Sequence, residues 1–220
     1  GQFLNGTVGS IGDEDVYWFT ATTGEVVTLK TTKLSGWTGT VRMTIYAPGS
    51  QTPIFDTGSG TGTYVQSNLK LATDGPYAVV ISDWENDSTG SYALSLEQTS
   101  PHPSGRPTGY ETTRSGTIES VGAVAAYFVR GCLGDLIRAT VTKQPGWTGA
   151  VRLQIYQPAN QNPVFDTTSG IGNAVVGQTT LGSSGFYALL VTDAEMDSTG
   201  SFTLELRRLG GAADSDGDLM

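Results

Sequence analysis

Apolar and polar residues alternate with a period of two in short stretches along the chain. Val41, Met43 and Ile45 alternate with Arg42 and Thr44, and Tyr92, Leu94 and Leu96 alternate with Ala93 and Ser95. A strand turns successive side chains to opposite faces, so this spacing predicts strands with one face on a core. The run Val26–Thr32 is rich in β-branched residues, and Tyr77–Ile81 reads as a strand buried on both faces. The same signals return at Leu136–Thr142, Val151–Tyr156, Phe186–Thr192 and Phe202–Leu206. Gly or Pro interrupts every span long enough for a helix. The pattern predicts an all-β chain of antiparallel sandwiches, with roughly seven or eight short strands in each.

The return is a duplication. Shifting the chain by 110 residues aligns 6–96 with 116–206 without a gap, and 39 of the 91 positions are identical. The clearest blocks are Gly36-Trp37-Thr38-Gly39 with Gly146-Trp147-Thr148-Gly149, and Asp87-Ser88-Thr89-Gly90-Ser91 with Asp197-Ser198-Thr199-Gly200-Ser201. A copy of roughly 95 residues is large enough to bury its own core. The expected organisation is two tandem jelly-roll-like sandwich domains, at 1–98 and 113–209. A Pro-, Gly- and Ser-rich linker at 99–112 joins them in semi-extended form, and an acidic tail covers 210–220.

Composition narrows the chemistry. The net charge of −9, with 12 Lys and Arg, leaves no electrostatic footprint for nucleic acid. It divides unevenly: residues 1–98 carry 4 basic and 10 acidic groups, and residues 113–208 carry 7 of each. One Cys and one His leave no set for an ordinary zinc site, an internal disulfide or a His-based triad with redundancy. His102 lies in the turn-rich Pro101-His102-Pro103, a poor mount for a general base. The longest uncharged apolar run, Ala123–Val129, is far short of the ~20 residues that cross a bilayer, so no membrane insertion is expected. The opening Gly1-Gln2-Phe3-Leu4 has no signal-peptide pattern. No nucleophile elbow, phosphate loop or His-Glu-x-x-His motif occurs, and the expectation is a chain that is not an enzyme.

The first copy opens with Gly9-Ser10-Ile11-Gly12-Asp13-Glu14-Asp15-Val16-Tyr17-Trp18-Phe19, then Thr23-Gly24-Glu25-Val26-Val27. It closes with Gly75-Pro76-Tyr77-Ala78-Val79-Val80 and Thr89-Gly90-Ser91-Tyr92-Ala93-Leu94. In these stretches it resembles bacterial pre-peptidase C-terminal (PPC) domains. The second copy matches from Gly146 onward but has Ala123, Val124 and Ala125 in place of Asp13, Glu14 and Asp15. The resemblance implies a small jelly-roll-like sandwich of secreted or cell-surface bacterial hydrolases, similar to collagen- and carbohydrate-binding modules. In that setting it serves an upstream catalytic domain by attachment to insoluble polysaccharide or extracellular protein, and some members carry calcium. The alternative is a spacer or secretion module that touches no ligand.

Candidate sites follow from two features. Asp83, Glu85 and Asp87 recur as Asp193, Glu195 and Asp197, three carboxylates at alternate positions between two predicted strands. Alternating carboxylates on one side of an extended loop repel each other, and calcium, which takes six to eight hard oxygens, would relieve that. The other reading is a solvated hairpin loop closed by Thr-Gly, with Asp87 or Asp197 capping the turn. Asp13-Glu14-Asp15 would add ligands in copy one, or serve as charged edge residues. The tail Asp214-Ser215-Asp216-Gly217-Asp218 matches the opening of a calcium loop without its later ligands, a hint that the parent protein continues. Among the aromatics, Trp37 and Trp147 in the Gly-Trp-Thr-Gly turns either present a ring to a ligand or plug an end of the sandwich. Trp84 and Tyr64 face Ala194 and Ala174 in the second copy, so the fold does not require those rings, and they are candidate ligand platforms.

Overall fold

A computed structural model describes residues 1–211, and the carboxylates of the tail, Asp214 to Asp218, lie outside them. The described residues form two eight-stranded jelly rolls and one short extra strand, with no helix. Domain 1 contains β1 (Gln2–Val8), β2 (Glu14–Ala21), β3 (Val26–Lys33), β4 (Val41–Tyr46), β5 (Pro53–Gly58), β6 (Tyr64–Lys70), β7 (Gly75–Asp83) and β8 (Gly90–Ser100). They pair antiparallel in two four-stranded sheets, β1-β8-β3-β6 and β2-β7-β4-β5. Apart from β4 and β5, which pair within one sheet, successive strands alternate between the sheets, as in a jelly roll.

A short β9 (Arg106–Pro107) precedes domain 2, built from β10 (Thr112–Ile118), β11 (Ala125–Gly131), β12 (Leu136–Lys143), β13 (Val151–Tyr156), β14 (Phe165–Thr168), β15 (Ala174–Thr180), β16 (Gly185–Asp193) and β17 (Gly200–Gly210). Its sheets, β10-β17-β12-β15 and β14-β13-β16-β11-β9, repeat the order of domain 1 with β9 added at an edge. That added strand is parallel to β11, with Tyr127 opposite Arg106 and Phe128 opposite Pro107.

Each domain has its own core between its sheets, as the alternation requires. Val27, Leu29, Met43, Ile45, Tyr77, Val79, Ile81 and Tyr92 fill the first, and Ile137, Ala139, Leu153, Ile155, Tyr187, Leu189, Val191 and Phe202 fill the second. The Gly-Trp-Thr-Gly turns supply the end walls. Trp37 and Trp147 are about 95% buried and tilt against Tyr92 and Phe202, with ring centroids 6.3 Å apart in both pairs. A Cβ at Gly200 would lie 2.3 Å from the Trp147 ring, so the Gly that ends the acidic loop is required by the ring it covers.

The two domains dock directly. The outer face of β13, β16 and β11 seats on the outer face of β3, β8 and β6. Tyr156, Ala188 and Leu190 are buried there, with Val124 and Ala126 packed against them. Opposite them, Thr28, Lys30, Thr32, Ala93, Ser95 and Glu97 of domain 1 are all buried, although they point away from their own core. Hydrogen bonds cross the interface from Arg152 Nη1 to the Tyr64 hydroxyl (2.7 Å), from the Tyr156 hydroxyl to Asn68 Oδ1 (3.2 Å) and from Lys30 Nζ to Gln154 Oε1 (3.4 Å). The Thr63 hydroxyl donates to the carbonyl of Glu195.

The Pro-rich segment after residue 98 is pinned to both domains. Ser104 Oγ donates to Glu97 Oε2 (2.6 Å), the Ala159 amide donates to Ser100 Oγ (2.8 Å), and the Thr108 amide donates to the Phe128 carbonyl (2.9 Å). The semi-extended spacer expected from its prolines therefore carries a strand and a hydrogen-bonded connection. Three side chains and one carbonyl hold it in place of solvent.

Candidate functional site

The acidic loop of domain 1 begins at the last residue of β7. Asp83 is 3% exposed and turns inward. Its Oδ2 accepts the amides of Asp87 (2.9 Å) and Ser88 (3.1 Å), and its Oδ1 accepts the Ser88 hydroxyl (2.7 Å). Burial pushes this carboxyl up. The hydrogen bonds from Asp87 and Ser88, with a smaller one from Trp37, outweigh burial and hold it below the ordinary carboxylate range.

Ser88 Oγ in turn accepts the indole N–H of Trp37 (3.0 Å). Loop, serine and ring thus form one connected unit, repeated in domain 2. There Asp193 accepts from the Asp197 amide (3.0 Å), the Ser198 hydroxyl (2.7 Å) and Trp147 Nε1 (3.2 Å). The turn is capped by its first aspartate, Asp83 or Asp193, where the sequence had pointed to Asp87 or Asp197. The sequence signal for this unit is the joint recurrence of the Trp turn and the Asp-Ser-Thr-Gly block at one spacing.

Around Asp83 the loop is not extended. Asn86 takes a left-handed conformation (φ 58°), which turns the chain and leaves Glu85 and Asp87 exposed. One oxygen from each of Asp83, Glu85 and Asp87 nevertheless lies within 4.8 Å of the others, a donor set of hard oxygens. Among the described residues no such grouping forms from Asp193, Glu195 and Asp197. In domain 2 the Glu195 carbonyl is taken by Thr63, Ala194 and Met196 are buried, and Met196 occupies the left-handed position (φ 58°). Burial, followed by the Asp193 and Glu195 carboxylates, raises Asp197. Asp13 and Asp15 do not join the cluster of domain 1. Asp13 Oδ2 accepts the Gly9 amide (2.9 Å), and Asp15 Oδ2 accepts the Tyr92 hydroxyl (2.6 Å).

The four aromatic candidates separate. Trp37 and Trp147 are buried end walls and present no ring face, which removes them as ligand platforms. Tyr64 is half-buried in the domain interface with its hydroxyl on Arg152, so its ring serves docking. Trp84 is 46% exposed at the edge of the outer β2-β7-β4-β5 face, and the Arg42 guanidinium lies 4.9 Å from its ring centroid. Arg42 is fixed from behind by two hydrogen bonds to Asp56, from Nε and Nη2, each 2.7 Å. The hydrogen bond from Arg42 holds the Asp56 carboxyl below its usual range. Sequence reasoning missed Trp18 as a surface residue. It is 66% exposed on the same sheet face, beside Val16 at 49%.

No family model matches the chain, and no curated protein does. Solved structures do. The chain is similar to the structure of the M60 catalytic domain with the CBM51-1 and CBM51-2 domains from Clostridium perfringens ZmpB (8% identity, TM-score 0.27), spanning 88% of this chain and 33% of that one. It is similar to the insecticidal delta-endotoxin Cry8Ea1 from Bacillus thuringiensis (8% identity, TM-score 0.30), over 91% of this chain and 54% of that one. It is also similar to the pre-peptidase C-terminal domain of collagenase from Bacillus anthracis, at 18% identity and TM-score 0.41, over 47% of this chain and 95% of that domain.

Proposed function

We propose that the chain is a non-catalytic accessory module of a secreted or cell-surface bacterial protein. In this reading domain 1 holds an attached catalytic domain against insoluble polysaccharide or extracellular protein. The PPC-like motifs of the sequence support the setting. The observation that carries the binding reading is Trp84. An exposed indole held against an anchored guanidinium is a preorganised platform for a sugar face or an apolar side chain. Domain 2 has Ala194 at this position, so Trp84→Ala is compatible with the fold. Retention on chitin, cellulose, alginate or collagen is expected for the wild-type chain, and Trp84→Ala should weaken it roughly tenfold or more. Equal retention of the two proteins on every matrix would overturn the platform.

Calcium is the metal we assign to Asp83, Glu85 and Asp87. The three carboxylates would supply part of its shell, with backbone carbonyls and water completing it. Bound calcium would neutralise the charge gathered in the loop. At 100 times its dissociation constant it adds about 2.7 kcal/mol of stability, so unfolding of domain 1 should move up by several degrees in calcium relative to chelator. Superimposable melting curves would remove calcium from the loop.

A second reading, a spacer or secretion module without a ligand, draws on the docked domains, which a buried interface holds together. It predicts no retention on any matrix and no effect of Trp84→Ala.

A further inference from the structure

Adding 110 to a residue number converts each position of domain 1 into its equivalent in domain 2, and the same operation can be applied to the interface between them. The docking is head to tail. The outer β13-β16-β11 face of domain 2 meets the outer β3-β8-β6 face of domain 1, which is a different face of the same sandwich. Each domain therefore has one face engaged and one free. Left free are the outer β2-β7-β4 face of domain 1 and the outer β12-β17-β15 face of domain 2. They are the equivalents of the two that already fit together.

We propose that these two free faces bind each other between chains, so that the chain associates head to tail with further copies of itself. A heterologous contact of this kind leaves complementary ends open and propagates unless rotation closes it.

The substitutions that distinguish the two repeats are matched across this contact. In the existing interface the large Tyr64 comes from domain 1, and the loop residue Ala194 on the other side is small. Between chains the equivalents are Ala174, which is small, and Trp84, which is large: the bulk has changed sides. The ring on the arginine follows it, since Arg152 is met by Tyr64 of the other domain and Arg42 by Trp84 of its own loop.

Charge is exchanged in the same way. Glu97 lines one groove with Ala123, Val124 and Ala125. Its equivalent is the exposed Arg207, and the equivalents of the three apolar residues are Asp13, Glu14 and Asp15. An acid against an apolar segment becomes an arginine against an acidic one. Arg207 lies opposite Arg138 across β12 and β17 and is paired with Glu205 of its own strand (2.6 Å), so it enters the contact as a held cation. Exposed apolar side chains stand among the polar ones on both free faces. Val16 and Trp18 are exposed on one, and Val176 (53% exposed), which replaces Gln66, on the other.

Sedimentation of the wild-type chain from about 1 μM to about 1 mM tests this. The weight-average mass should rise beyond that of two chains, and less so in high salt. Trp18→Ser and Val176→Glu each alter an exposed side chain on one face only, and each alone should sediment as a single chain. Mixed, they retain one intact face of each kind, so association should return and stop at two chains. A wild-type chain that stays single throughout, or variants that associate unchanged, would overturn the proposal, and so would a mixture that stays dissociated. Because Trp84 lies in this contact, matrix retention is read on the two single variants, which keep the Trp84 loop and leave it uncovered, so failure of association and failure of the proposed binding function are distinguishable.

Discussion

Asp193→Ala should cost domain 2 about 3 kcal/mol or more, because it leaves the Asp197 amide, the Ser198 hydroxyl and the Trp147 indole N–H without their shared acceptor. Asp193 is 1% exposed, so these donors have little access to water once the carboxylate is gone. The Trp147 indole N–H, which also donates to Ser198 Oγ (2.9 Å), is left with that bond alone. For a domain of this size the midpoint should fall by roughly 10–20 °C. Asp193→Asn keeps one acceptor oxygen and should fold with a smaller loss. Glu195→Gln, in the same loop with an exposed side chain, should change stability by less than about 0.5 kcal/mol. Urea unfolding of the three variants with chelator present checks the ranking, since a scaffold role for Asp193 does not depend on metal. Comparable losses for Asp193→Ala and Glu195→Gln would show that the hydrogen bonds contribute little.

The second large effect lies at the domain interface and depends on pH. Lys30 is 1% exposed, and its ammonium has one protein hydrogen bond, to Gln154. Burial, and then the nearby positive charge of Arg152, lower its pKa from 10.5 to about 7; Asp166 and Glu97 oppose the shift. The unfolded chain therefore holds the proton between about pH 7 and 10.5, while the folded chain releases it. Stability rises with pH across that window, and the cost of the buried charge is fully present below it. At 1.36 kcal/mol per unit the window is worth at most about 4–5 kcal/mol. Lys30→Met keeps the length of the side chain and removes the proton. It should be more stable than wild type by a few kcal/mol at pH 6 and close to it at pH 10. Urea midpoints for both proteins at the two pH values decide this. Parallel pH profiles would mean that Lys30 does not titrate in the window.

The strands and the duplication were legible because both rest on core positions. A residue such as Ile45 or Leu153 must face inward in every copy, and period-two spacing reports that without knowledge of the partner strand. Docking left no such trace. Thr28, Lys30 and Thr32 alternate with core residues as a solvent face does, and nothing in their identity says that a second domain covers them. The trace was in the differences between copies. Tyr64 against Ala174, and Asp13-Glu14-Asp15 against Ala123-Val124-Ala125, look like different ligand surfaces in sequence. In the structure one member of each pair lies in or beside the interface.

The acidic loop was half legible. Its three carboxylates do converge in domain 1, but the strand-like spacing used to group them fails where Asn86 turns the chain. Burial of Asp83 could not be read from a loop of polar residues. Its place in the Trp37 unit follows only when the two conserved blocks of the repeat are seen in contact.

The burial of the two end-wall tryptophans has an optical consequence. Of the four tryptophans, Trp37 and Trp147 are sealed in the cores, while Trp18 and Trp84 stand on one face of domain 1. A collisional quencher in solution therefore reads that face alone, and the fluorescence it cannot reach reports the integrity of both jelly rolls. The molecule carries separate internal probes for surface occupancy and for folding, without a label.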